Sequence, residues 1–162
     1  MIPLLKAAGG ETHLINTASY AGFVSSPWSA AYNASKAGVI ALSETLQAEL
    51  QSTNVNVSVV CPGFFPSGLL LESNPAGDVP TGAISAAARR MFDRSTLTAD
   101  QVADAIVGLI DKPQFLTILP AEARRAWRFK RFFPRCFSRV VAEQSNRLRD
   151  RMQAKLDAPA NK

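Results

Sequence analysis

The stretch "VNVSVVCPGFFPSG" (residues 55–68) decides the fold. Four of its first seven residues are the β-branched valine, and the seven read as a strand. Pro62 and Gly63 stop that strand sharply. Upstream, residues 29–51 suit a helix: Val39, Leu42, Leu46 and Leu50 recur every three or four residues and predict one apolar stripe. The first half of this helix is small-sided, with Ala30, Ala31, Ala34, Ala37, Gly38 and Ala41. Further upstream, "HLINTAS" (13–19) reads as a strand running into a turn-rich loop. Downstream, "TGAISAAARRMF" (81–92) suits a short helix. "LTADQVADAIVGLIDK" (97–112) suits a longer one, with a Thr98–Gln101 capping box. Val102, Ile106, Leu109 and Ile110 are its expected inner face, and Pro113 ends it. "QFLTILP" (114–120) predicts a third strand. A basic helical extension broken near Pro134 follows.

Strands alternating with helices imply βαβ units and a parallel α/β sheet. Ligands of such sheets bind beyond the carboxyl ends of the strands. Ser19, Pro62 and Gly63 follow two of those ends, and Tyr32 opens the helix between them. Tyr32 and Lys36 stand four apart, so they neighbour each other on the helix. An ammonium about 4–5 Å from a phenol favours the phenolate by about 3–4 kcal/mol at an effective dielectric of ~20. The pair therefore suits proton transfer, with Ser19 holding a substrate oxygen. A Tyr–Lys pair at this spacing also occurs on plain solvated helix faces, and the pair alone does not separate the two readings.

Bulk properties narrow the class. The 162 residues suit about one domain; 47% hydrophobic and 19% charged content argues against a disordered chain. Two cysteines and one histidine disfavour His-based triads, multi-His metal sites and a disulfide framework, so no metal is expected. The N-terminus lacks a basic n-region and a signal-length apolar core, so a cytoplasmic location is expected. Residues 1–120 hold 6 Lys/Arg against 9 Asp/Glu, a net −3; residues 121–162 hold 12 against 4, a net +8. The division expected is thus 1–120 for the α/β body and 121–162 for the basic extension. The tail interleaves Trp127, Phe129, Phe132 and Phe133 with Arg and Lys. It reads as a helix packed on the body or a partner, as a membrane-peripheral element, or, least of the three, as a nucleic-acid binder.

"INTASYAG", the Tyr32-x-x-x-Lys36 pair thirteen residues after Ser19, and the strand ending in "CPGFFPS" together resemble the short-chain dehydrogenase/reductase family over residues 1–120. The resemblance implies an oxidoreductase that interconverts a carbonyl and an alcohol with NAD or NADP. It makes Ser19, Tyr32 and Lys36 catalytic and Tyr32 the acid/base. It assigns Tyr32, Lys36, Pro62, Gly63, Phe65 and Ser67 to the cofactor, Ser67 standing where the family has threonine. It also implies a homo-oligomer through helix 29–51, favoured over plain packing of that helix within the chain. Phe64, Phe65, Leu69, Leu70 and Leu71, with Tyr20 and Trp28 facing them, suit either a hydrophobic substrate under a lid or plain core packing.

The family's glycine-rich phosphate loop has no counterpart here. "AAGG" (7–10) follows no strand and opens no suitable helix. The family's "NNAG" segment and catalytic asparagine are missing as well. The expectation is a partial Rossmann-like, doubly wound sheet that lacks its N-terminal dinucleotide-binding half and is cut or restarted at Met1. Its first strand would lie at an unpaired edge. The same residues also fit a non-catalytic remnant that acts as an association or membrane-surface module.

Overall fold

The computed structural model describes residues 1–25, 27, 29–66 and 94–156. The expected helix 81–92, together with Trp28, Ser67, Leu69, Leu70 and Leu71, lies outside the described residues. The elements run α1 (Ile2–Ala7), β1 (Thr12–Thr17), a 3-10 turn (Tyr20–Gly22), α2 (Ala30–Leu50), β2 (Val55–Pro62), α3 (Ala99–Asp111), β3 (Leu116–Leu119), α4 (Ala121–Phe132) and α5 (Pro134–Leu156). The three strands form one parallel sheet in the order β1-β2-β3, which bears out the expected α/β class. "AAGG" is the last residue of α1 and the turn that follows it, with Gly10 at φ 90°.

Register sets the core. Leu14 pairs with Val57, Asn16 with Val59, and Cys61 with Ile118. Side chains alternate along a strand, so Leu14, Val57 and Val55 share a face. They pack with Leu50 in one buried cluster, against Leu46, Ile2 and Leu5. Ala18, Val59, Cys61 and Ile118 join Ile40 and Ala123 in a second cluster. Each such Val, Leu or Ile contributes about 1.5–3 kcal/mol by leaving water.

The inner face of α2 differs from the predicted stripe. Asn33, Ile40, Ser43 and Leu50 are buried, Val39 and Leu46 pack alongside, and Leu42 is 55% exposed. A polar residue holds the centre of this face because its hydroxyl is fully used. Ser43 Oγ donates to Val39 O at 2.7 Å and accepts from Asn16 Nδ2 at 3.0 Å, tying α2 to β1. Buried hydroxyls satisfied in this way avoid the cost of desolvation. Leu42 instead shares the outer face with Ala34, Gly38 and Ala41, all exposed.

Helix α3 follows its sequence signals at the start. Thr98 Oγ1 accepts from Gln101 N at 3.2 Å, and Thr98 N donates to Gln101 Oε1 at 3.0 Å. Val102 and Leu109 are buried, seven residues apart on one stripe, and Ile106 is half-buried. Ile110 was expected inside but is 53% exposed, one helical step past Leu109 and off the stripe. The extension breaks where Pro134 predicts, between α4 and α5, and Ala123 of α4 enters the main core cluster. Among the described residues, no helix is long and apolar enough to cross a membrane.

Removing the Thr98 hydroxyl tests the cap. Thr98→Ala is expected to cost about 1 kcal/mol of stability, read as a lower urea midpoint at unchanged slope.

Candidate active site

The strand-to-turn junction after β1 carries Ser19. Ala18 N still donates to Val60 O at 2.8 Å, so the sheet's hydrogen bonding runs up to the serine. Ser19 is extended (φ −166°, ψ 155°) and caps the 3-10 turn, its Oγ accepting from Ala21 N at 3.1 Å. That bond uses a lone pair and leaves the hydroxyl proton free to donate elsewhere.

Glycine closes this turn for a packing reason. A Cβ on Gly22 would stand 2.6 Å from Ile40 Cδ1 and 2.9 Å from both the carbonyl carbon and oxygen of Lys36. The turn therefore lies flush on α2 at the level of Lys36. From the same turn of helix, Lys36 Nζ donates to Thr17 O at 3.4 Å and sits 5.9 Å from the Tyr32 ring centroid. Tyr32 and Lys36 are both half-buried.

Cys61 lies beneath, with no exposed surface. Burial pushes its thiol up to about 12, opposed by a hydrogen bond with the Ser19 backbone and by the charge of Lys36. Ser19 and Lys36 thus share one buried neighbour. Pro62 and Gly63 follow directly. Gly63 N donates to Leu119 O at 2.6 Å, and a Cβ there would stand 3.1 Å from Pro120 Cδ and 3.2 Å from Leu119 O. Packing against the end of β3 by itself accounts for this glycine. Phe65 is half-buried and Phe64 is 37% exposed.

The structure thus brings Ser19 and Lys36 onto one packed junction, with Tyr32 one turn from Lys36, at the carboxyl ends of β1 and β2. Tyr20 packs on the main core cluster beside Phe23 and Trp127, and burial raises its phenol from the ordinary value. Two features of this junction were given no structural role in the sequence reading. The Ala-Gly pair after Ser19 was the available sign of the close approach at Gly22. A cysteine placed just before Pro62 hinted at a buried thiol. The extension packs on the body through Trp127, one of the readings the sequence offered, while Phe132 and Phe133 stay exposed. There Trp127 meets Phe23 with ring centroids 5.6 Å apart, and Lys130 Nζ donates to Phe23 O.

A family profile described as short chain dehydrogenase matches residues 1–76. A 1-deoxy-11-beta-hydroxypentalenate dehydrogenase of Streptomyces avermitilis is 32% identical over 123 residues, covering 76% of this chain and 41% of that protein. Ketoacyl reductase HetN of Nostoc is 44% identical over 55 residues, covering 34% of this chain and 19% of that protein. A short chain dehydrogenase/reductase from Burkholderia phymatum, solved in complex with NAD, superposes with a TM-score of 0.71 at 27% identity. It covers 80% of this chain and 50% of that one. The chain belongs to the short-chain dehydrogenase/reductase family. It spans about half the length, or less, of the relatives it matches.

The two thiols give a direct check on the packing. Cys136 is exposed and Cys61 is buried with its thiol raised. Iodoacetamide at pH 8 is expected to modify one thiol in the native chain and two in urea. The raised Cys61 thiol stabilises the fold fully below the ordinary value of 9.0, and that contribution is lost as pH rises through about 12. The urea midpoint should accordingly fall above pH 9.

Proposed function

We propose that this chain carries the proton-transfer and substrate-orienting half of a nicotinamide-dependent oxidoreductase that interconverts a carbonyl and an alcohol. One observation carries the reading: the Ser19 turn is packed against α2 at Lys36, with Tyr32 one helical turn away. The Streptomyces relative, named as a dehydrogenase of a hydroxylated compound, supports this reaction class.

A nicotinamide dinucleotide, NAD or NADP, supplies or accepts the hydride at carbon when bound. The donor set fits its ribose end: the Lys36 ammonium and the Tyr32 phenol reach the rim where ribose hydroxyls would sit. Gly63, Phe65 and Ser67 are proposed for the nicotinamide side. The Burkholderia relative, 27% identical and solved with NAD, supports that ligand class.

In the reductive direction the substrate oxygen gains a proton as the carbon gains a hydride. Tyr32 Oη delivers that proton, and Ser19 Oγ donates a hydrogen bond to the same oxygen as charge develops on it. Lys36 stands one helical turn away, its ammonium 5.9 Å from the Tyr32 ring centroid. In oxidation the proton travels the other way. Phe64 and Phe65, just past β2, support an apolar substrate neighbourhood.

The dinucleotide's phosphates need a site beyond the residues described, since residues 7–10 are the end of a helix and the turn after it. β1 bonds only to β2 in the described sheet, and the buried His13 Nδ1 has no partner among the described residues. The open edge of β1 supports a sheet that continues beyond the described strands. The exposed Ala34, Gly38, Ala41 and Leu42 of α2 support association with a second copy. That surface would persist in a chain without catalysis, which is the alternative reading.

Tyr32→Phe is the test, in any form of the protein that turns over an alcohol or ketone. Turnover is expected to fall at least about 100-fold with the fold unchanged. A rate within about twofold of the parent would remove Tyr32 from the chemistry.

A further inference from the structure

The extension presents a surface that the oxidoreductase reading does not use. The inner side of α4 is spent on the body: Ala123 is buried, Trp127 meets Phe23, and Lys130 Nζ donates to Phe23 O. The outer side and the start of α5 expose Arg124, Arg125, Arg128, Arg131, Arg135 and Arg139. Residues 121–140 hold one acid, Glu122. None of these six arginines forms an ion pair with a described residue; the side-chain ion pair of this region is Arg147–Glu143, further along α5.

Apolar rings stand among these charges. Phe132 is 72% exposed, Phe133 57% and Phe129 43%, with Val140 at 45%. Phe129 contacts Phe133 at 5.6 Å and Phe137 at 6.3 Å between centroids, so the α4–α5 corner is a packed knuckle. Cationic heads flanking protruding hydrocarbon match a layer with negative charge above and acyl chains below. The body adds orientation. Residues 1–120 carry a net −3, so an anionic surface repels them while attracting the extension, at net +8. Single-stranded nucleic acid is less well matched, because it needs free ring faces for stacking. Here Phe129 is engaged by Phe133 and Phe137.

We infer that the α4–α5 corner, through Arg125, Arg128, Arg135, Arg139 and Phe132, docks on an anionic lipid bilayer, as a peripheral contact that does not span it. The inference is independent of the catalytic reading, because it concerns the face of α4 turned away from Ser19.

The test is co-sedimentation of the 162-residue chain with two kinds of vesicle. One is phosphatidylglycerol and phosphatidylcholine in equal parts; the other is phosphatidylcholine alone. The expected result is binding to the first only, weakening steeply as salt is raised from about 0.05 to 0.5 M. Changing Arg125, Arg128, Arg135 and Arg139 to Gln should weaken binding about 100-fold or more, and changing all four to Lys should retain most of it. Phe132→Ser should weaken binding about tenfold, with helicity by circular dichroism unchanged. Equal binding to both vesicles, or none to the anionic ones, overturns the inference without any variant. So does tighter binding to a fluorescent oligothymidylate than to the anionic vesicles.

Discussion

The contact on which the rest depends is backbone against backbone: the end of the Ser19 turn lies on α2 at Lys36. No side chain fits between them, since a Cβ on Gly22 would fall within 2.9 Å of the Lys36 carbonyl. A turn held by a backbone contact cannot drift as one held by a flexible side chain can. The backbone that carries Ser19 and the α2 backbone at Lys36 are therefore fixed relative to each other. Such rigidity is what orientation effects in catalysis require, where a displacement of about 1 Å costs about 100-fold in rate.

Around that contact, each element adds one restraint. Asn16 reaches from β1 to Ser43 on α2, so strand and helix cannot slide. Cys61 fills the space below with an uncharged thiol that meets the Ser19 backbone. Gly63 lets β2 close on Leu119 and Pro120, bringing its end beside β3. The extension then clasps the far end of the turn through Trp127 and Lys130, both acting on Phe23. The basic segment is therefore structural on its inner side, whatever its outer side meets.

Legibility followed the range of the forces involved. The alternation of strand and helix, the capping box at Thr98 and the break at Pro134 are local, and all are present. The Tyr32–Lys36 spacing was equally local, being one turn of helix. Failures came where a polar residue could be buried with its bonds met. Ser43 holds the inner face of α2 and leaves Leu42 outside, which a count of apolar residues reverses. Ile110 shows the same weakness, since one step of 100° separates a core position from an exposed one. The sequence offered packing of the extension on the body, but the clasp on Phe23 joins residues 107 apart, beyond the reach of any local pattern.

The close approach at Gly22 sets where the Ser19 turn meets α2 at Lys36, on which the proposed proton transfer rests. The most direct measurement is the turnover number of Gly22→Ala in a catalytically competent form of the enzyme, at a urea concentration where the protein is shown to be folded. An added methyl must push the turn off α2, so turnover is expected to fall at least tenfold in the folded variant. A folded Gly22→Ala enzyme with the parent's turnover would contradict the account.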